Sequence, residues 1–535
     1  MKEKVCGTAS RRTFVKAAGL ALAGATVSSF MGCSGKKNSQ DTSSLSDITW
    51  DEEYDVVVVG GGLAGMSTAI TVATEGEGEK CLLLEKGDLP TGGGNSQYSS
   101  GRVTFTDDPE LYLQYLKDLR GDFAATAPDD VLEALARGMG ENYTWIIGLG
   151  ANESDLTITN PDGNEPQEYG EFAGSVSAKK VGFSKTSKNF THIVPFIESV
   201  VEQHADVITH KTGAQVTALI QDADSKTVVG VSYSEKGATK YAKGTKGIVM
   251  CCGGFENDEA MKENYLGSAN LHAVAGLNNT GDGHRMCARL QADFWHMHGM
   301  AGFWNNGVSL DGKNYNQYRT LNKDQGITVG VNGRRFYMDY DMATSGWPTS
   351  DTLDSLSTDV GSRHGHQQFG GDWSTLPMPA TTWFVFDQSG ADNKAYTAGT
   401  QDIVADGFGY KADTIEELAA QMHVPGDELV ATVALWNQYC SAGKDASFYR
   451  PPSTLHALVT PPYYAMKMGP EMINTDGGPV RDSQGEIIDI DGNPIPHLYS
   501  AGEFGSVWTY SYQGGGNLGE CCAFGRIAAR NALGL

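Results

Sequence analysis

Tyr54-Asp55-Val56-Val57-Val58-Val59-Gly60-Gly61-Gly62-Leu63-Ala64-Gly65-Met66 is the stretch that decides the fold. Tyr54 to Val59 is an apolar, β-branched run, the texture of a strand buried on both faces. Ala, Thr, Ile and Val from Met66 to Thr74 predict a helix, and Leu82-Leu83-Leu84-Glu85 predicts a second strand. Gly60, Gly62 and Gly65 between them form G-x-G-x-x-G. The first permits the tight turn, the second admits close approach of a pyrophosphate, and the third lets helix pack on strand. Anionic phosphates gain there from the positive end of the helix dipole. Glu85 follows at the distance where a carboxylate accepts from a ribose hydroxyl. Ala64 in the turn and Lys86 beside Glu85 belong to the same candidate site. The prediction is an α/β fold with a Rossmann-like dinucleotide-binding βαβ unit.

Outward from this unit, residues 109–150 read as helices and 151–190 as polar loop. Val207–Thr209, Ala214–Ile220 and Thr227–Tyr233 read as a strand and a hairpin, and Gly247–Cys252 as a further buried strand. From about residue 276 aromatic and His residues increase and the βαβ rhythm stops. Residues 276–465 are therefore expected to form an inserted α+β capping domain, with helices over 414–422 and 427–440. Residues 51–275 and 466–535 make the dinucleotide-binding domain, closed by an Ala-rich terminal helix.

The chain has 535 residues, 67 of them Gly, and a formal net charge of −25. It has no basic run inside the folded part, which disfavours nucleic acid and anionic lipid as partners. None of its nine Cys falls in C-x-x-C spacing, so covalent haem and the common Fe–S and zinc spacings are absent. The vicinal pairs Cys251-Cys252 and Cys521-Cys522 read as core thiols. Residues 1–33 read as a targeting segment: Ser10-Arg11-Arg12-Thr13-Phe14-Val15-Lys16 resembles the twin-arginine export signal. Phe30-Met31-Gly32-Cys33 also resembles a lipoprotein cleavage box, with Cys33 as the lipidated residue and 34–50 as linker. Export to the periplasm or cell surface is expected.

Beyond the βαβ unit, six motifs stand in one order. They are Thr91-Gly92-Gly93-Gly94-Asn95-Ser96, Gly253-Gly254-Phe255, Asn279-Thr280-Gly281-Asp282-Gly283, Gly333-Arg334-Arg335-Phe336, Lys411–Leu418 and Ala501-Gly502-Glu503. Together they resemble the fumarate reductase and succinate dehydrogenase flavoprotein family over nearly all of 54–535. The resemblance implies FAD as cofactor. It implies Gly93, Gly94, Asn95 and Ser96 on the flavin side, Val216 at the adenine end, Gly253 in the site, and Asp282 and Glu503 at the ribityl region. Gly516, Asn517 and Leu518 would open the last helix toward the flavin. Members with covalent FAD use a His after the second strand. Gly92–Gly101 has none, so FAD is expected to be noncovalent.

The family's fumarate-binding His and Arg are replaced here, in Asn474-Thr475-Asp476-Gly477-Gly478 and Tyr512-Gln513-Gly514-Gly515-Gly516-Asn517, by Asn474 and Gln513. Loss of a bidentate cation removes the strongest carboxylate anchor. The second segment resembles 3-ketosteroid dehydrogenases, which implies Tyr512 and the Gly516 N–H as an oxyanion hole for an enone. Tyr340 and Arg363 are the candidate proton donors; the His364/His366 pair reads as hydrogen-bonding or surface residues. Trp295, Trp304, Trp347, Trp373, Trp383 and Trp508 are candidate lining of a substrate cap. The expected reaction is hydride transfer from flavin N5 to a carbonyl-conjugated C=C bond of an organic, non-dicarboxylate substrate. A separate membrane cytochrome or quinol-linked protein is the expected electron donor. A ketosteroid-type dehydrogenase and a non-catalytic flavin electron carrier are the alternatives.

Overall fold

Four apolar runs end level with one another: Val59, Leu84, Met250 and Ser500 close neighbouring strands of one sheet. The computed structural model describes residues 48–88, 94–165, 167–170, 172–267, 271–303, 310, 321–336, 339, 381–396, 402–468, 471–509 and 511–535. The sheet consists of β1 (Glu52–Val59), β2 (Cys81–Leu84), β3 (Ile208–Lys211), β4 (Ala214–Gln221), β5 (Val228–Glu235), β6 (Ala238–Met250), β7 (Glu486–Ile488) and β8 (Pro494–Ser500). Its order is β7–β8–β6–β1–β2–β3, with β5 joined to β6 and β4 to β5. The pairs β8/β6, β6/β1, β1/β2 and β2/β3 are parallel. The chain leaves β1 for β2 on one side and later enters β6 on the other, so the sheet reverses its winding at β1. An open α/β sheet presents its ligand crevice at the carboxyl ends of the strands at such a point.

Helix α1 (Leu63–Glu75) starts one turn before the predicted Met66. The reason is tertiary: Ser96 Oγ accepts from the Leu63 N–H at 3.1 Å, satisfying a donor that the sequence near the helix leaves open. Gly60 takes a φ of +111°, and a Cβ on Gly65 would collide with its carbonyl. Helix α2 (Asp129–Gly148), α3 (Asp282–Arg289) and the terminal α4 (Gly516–Leu533) follow. α4 nests between α1 and α2 through small residues. A Cβ on Gly525 would lie 2.9 Å from the Ala64 carbonyl, and one on Gly138 2.6 Å from Ala523 Cβ.

Residues 151–190, expected as loop, contain two strands, Leu156–Thr159 and Lys179–Phe183, which pair antiparallel with each other; the second also pairs with Val103–Phe105. Both are short, and their ladder hydrogen bonds come from these partners. A separate antiparallel sheet runs in the order Gly326–Gly330, Thr382–Asp387, Tyr463–Met468, Gly409–Ala412. Helices Ile415–Met422 and Gly426–Ala442 pack on it around Leu418, Leu429 and Trp436. Thr414 Oγ1 caps the first of them by accepting from the Glu417 N–H at 3.2 Å. Where the chain passes between the two sheets, Met300–Phe303 and His272–Ala273 pair with Glu471–Thr475. Among the described residues no helix is long and apolar enough to cross a membrane.

A fully buried ion pair ties the last helix to the strand ends. Arg481 Nη2 donates to Glu520 Oε1 at 2.6 Å and to the carbonyls of Gly502 and Gly505. The guanidinium lies over the Phe524 ring, and the Val507 N–H also donates to Glu520. Burial pushes Glu520 up to about 7 against the pull of Arg481. Removing one partner of a buried pair strands the other. Arg481→Met is expected to destabilise the protein by ~3–5 kcal/mol, read as a lower urea midpoint.

Candidate active site

The cleft opens where the strands end. Gly60 follows β1, Glu85 follows β2, Cys251 follows β6 and Ala501 follows β8, and all four line a cavity of about 810 Å³. Glu85 is buried, and both its oxygens accept backbone N–H groups, Gly61 at 2.8 Å and Gly87 at 2.7 Å. Burial pushes its carboxyl up while these two donors pull it down. Lys86 Nζ reaches over to Thr280 Oγ1 at 2.8 Å and Asp282 Oδ2 at 3.0 Å. Gln215, beside Val216, donates to the same Asp282 oxygen. Asp282 is thus joined to the Glu85 and Val216 end of the cleft, while Glu503 is bonded at Asn95.

Asn95 ties four segments together. Its Oδ1 accepts from the Gly276 N–H at 2.9 Å, and its Nδ2 faces Glu503 Oε2 at 2.9 Å and Glu256 Oε1 at 3.3 Å. Gly62, Ala64, Gly94, Ser96 and Gly253 line the cleft too; Gly65 instead serves the packing of α1 on β1. Gly93, Tyr340, Arg363 and the pair His364/His366 lie outside the described residues. Among the described residues no three His, Cys, Asp or Glu could hold a metal ion.

The cleft fits an adenine dinucleotide. Gly62 caps α1 without any side-chain cap, and a Cβ there would meet only Ser96 Oγ, at an ordinary 3.6 Å. Protein packing therefore does not demand Gly at 62, and the bare backbone faces the cleft at the positive helix end. Asn279 Nδ2 and Glu503 Oε1, both on lining residues, are buried without a hydrogen-bond partner. Gly60, Gly62 and Ala64 would hold the diphosphate, Glu85 the ribose, and Asn95, Ser96 and Glu503 the flavin side. Asn279 stands in the motif Asn279–Gly283, where the sequence assigned a role to Asp282 alone. Cys251, Cys252 and Cys521 also line the cleft. They are free thiols, pushed up by burial and so held protonated, consistent with core packing.

Tyr512 lies buried against Trp508, edge to face at 5.5 Å, and its Oη accepts from the Asn517 N–H at 3.4 Å. Burial holds its hydroxyl far above the usual range, so it stays a neutral O–H. The Gly516 N–H differs from expectation: it donates to the Gln513 carbonyl at 2.8 Å, closing the turn that starts α4. A side chain at 516 would collide with the Trp508 ring. Leu518 is buried beside this turn, and Asn517 Oδ1 is a buried acceptor without a partner. Gln513 is fully buried and accepts from the Tyr112 hydroxyl at 3.1 Å; Asn474 donates to Asp476 Oδ1 at 2.7 Å. Trp383 packs against Tyr410 in the four-stranded sheet and Trp295 stacks on His296; Trp304, Trp347 and Trp373 lie outside the described residues.

The sheet, the glycine turn and the acid after β2 define a dinucleotide-binding protein. Residues 55–518 match the family model described as FAD binding domain, and the chain belongs to that family. It is a flavoprotein of the fumarate reductase and succinate dehydrogenase type, an FAD-dependent oxidoreductase acting on CH–CH groups. It is similar to digoxin reductase of Eggerthella lenta, 26% identical, with 98% of this chain and 97% of that protein covered. It is also similar to a probable fumarate reductase of Shewanella frigidimarina, 25% identical, covering 90% of this chain and 75% of the other. The fold matches 3-ketosteroid Δ1-dehydrogenase from Sterolibacterium denitrificans with a TM-score of 0.69 at 21% identity, over 90% of this chain and 100% of that one.

Two substitutions separate ligand contact from fold. Gly62→Ala is expected to leave the unfolding midpoint of the apoprotein unchanged and to weaken FAD binding by ~10- to 100-fold, the scale of a ~1–3 kcal/mol steric clash. Gly65→Ala, which meets the Gly60 carbonyl, is expected to lower the midpoint itself.

Proposed function

We propose that this protein is an exported reductase that moves a hydride from FAD N5 to the carbonyl-conjugated C=C bond of a non-dicarboxylate substrate. The observation that carries the reading is at the two carboxylate-anchor positions. Asn474 and Gln513 are neutral, buried and bonded to the protein's own Asp476 and Tyr112. Neither offers a cation to a dicarboxylate. When bound, FAD supplies the two-electron hydride chemistry.

Tyr512 gives the chain its own contribution. Its oxygen accepts from the Asn517 N–H, and a neutral phenol O–H can donate as well as accept. A neutral O–H aimed at a substrate carbonyl draws electron density from the conjugated C=C bond and makes the β carbon the hydride acceptor. The positive end of α4, immediately beside Tyr512, supports negative charge on that oxygen. The proton for the α carbon is assigned to Tyr340 or Arg363. By their names, digoxin reductase supports the reading, while the probable fumarate reductase supports only its reductive direction. By analogy with the latter, electrons come from a separate membrane cytochrome or quinol-linked donor. Export rests on Arg11 and Arg12. Replacing both with Lys is expected to retain the protein in the cytoplasm, as cell fractionation would reveal.

A reduced-dye assay with enones, enoates, 3-ketosteroids and fumarate tests the chemistry. Dye oxidation by a carbonyl-conjugated alkene and none by fumarate is the expected pattern. Dye reduction driven by a saturated ketosteroid would instead establish a dehydrogenase, and silence with every compound a flavin electron carrier. Tyr512→Phe should keep its FAD absorbance and lose turnover by ~10²-fold or more, the scale for one oxyanion donor. Unchanged turnover removes Tyr512 from the mechanism.

A further inference from the structure

We propose that Glu256 and Glu503 form a proton-sharing carboxyl pair in the wall of the cleft, and that this pair takes up a proton when the bound flavin is reduced. Glu503 lines the cleft, and Glu256 stands behind it, 1% exposed. Both carboxyls accept from the one amide nitrogen of Asn95, and Glu256 Oε1 also accepts from the Thr475 N–H at 2.8 Å. They converge on Gly254. A Cβ there would lie 2.5 Å from Glu503 Oε1, 2.6 Å from Glu256 Oε1 and closer still to Thr475 Oγ1, so both carboxyl oxygens crowd one point beside the Thr475 hydroxyl. Glu503 Oε1 and Glu256 Oε2 are buried with no hydrogen-bond partner.

Two ionised carboxylates do not coexist at such a point without a cation. Among the described residues, the charged groups on the surrounding elements do not provide one. Lys86 is paired with Asp282, Arg481 with Glu520, and Arg285 with Asp258. His284, packed edge-on against Phe255, is pushed down to about 4 by burial and is neutral. Asp476, beyond Thr475, is itself buried and pushed well up. Burial first, then Glu256, raise the Glu503 carboxyl far above the usual range. Of the pair, Glu503 is therefore the carboxyl that carries the proton.

Reduction changes the balance. Two electrons and one proton convert the bound flavin to its anionic hydroquinone, which adds a negative charge to the cleft. A second proton from solvent then neutralises the remaining carboxylate of the pair, so the charge of flavin plus pair stays the same. The electrons come from the physiological donor, or from dithionite in the test. This inference rests on FAD as cofactor and is independent of the substrate.

The holoenzyme's flavin midpoint potential, followed against pH by spectroelectrochemistry, counts the protons taken up per two electrons. The wild type is expected to take up two around neutral pH, with the absorbance of the anionic hydroquinone, and Glu256→Gln one. A merely structural role would shift the potential but leave the count alone. Equal counts in the two proteins, or a reduced flavin that itself carries the second proton, overturn the proposal. If Glu256→Gln does not retain FAD, the wild type alone decides. Its reduced-minus-oxidised infrared spectrum should gain a protonated-carboxyl C=O band that shifts in D₂O, and absence of that gain overturns the proposal equally.

Discussion

The contact between Arg481 and Glu520 is the constraint on which the flavin side of the site depends. The chain leaving β8 must cross the mouth of the cleft before it enters α4, and it does so without regular structure. Its carbonyls at Ser500, Gly502 and Gly505 are buried and need donors. Arg481 supplies them from a single side chain, while Glu520 neutralises the guanidinium and accepts from Val507. Because the loop is held at both ends, Glu503 can be kept as a buried acid facing Asn95. Five donors in a planar fork make Arg suited to this task where Lys is not.

The second theme is charge. Glu85, Asp282 and Glu503 all line the cleft, and among the described residues its lining cation, Lys86, is paired with Asp282. A cofactor diphosphate here depends on backbone N–H groups and the positive end of α1, not on free cations. Glu85 accepts from Gly61 and Gly87, so its own charge is met by the turn it shapes. Protonation of Glu503 would lower the acidic load further at the end where the flavin changes charge.

Much of this was legible in the chain. The run Val56–Val59 with Gly60, Gly62 and Gly65 specifies a buried strand, a turn and a helix, because local chemistry alone dictates each. Helices Ile415–Met422 and Gly426–Ala442 lie within two residues of their periodic signal. The strands Leu156–Thr159 and Lys179–Phe183 were not legible, since each is too short to show a period and is completed only by its partner. The start of α1 at Leu63 was missed because its cap, Ser96, comes from another segment.

At the substrate side, the sequence by itself determined that the two dicarboxylate-anchor positions hold Asn474 and Gln513, because the identity of a side chain is a covalent fact. Only the tertiary structure decided that both are turned to the protein's own Asp476 and Tyr112, and that the Gly516 N–H closes a turn instead of facing a ligand. Likewise the sequence marked Glu503 for the cofactor but gave Glu256 no role and did not join the two. Their meeting at Gly254 follows from the level ends of β6 and β8, and proximity of like charges is a property of folding, not of order along the chain.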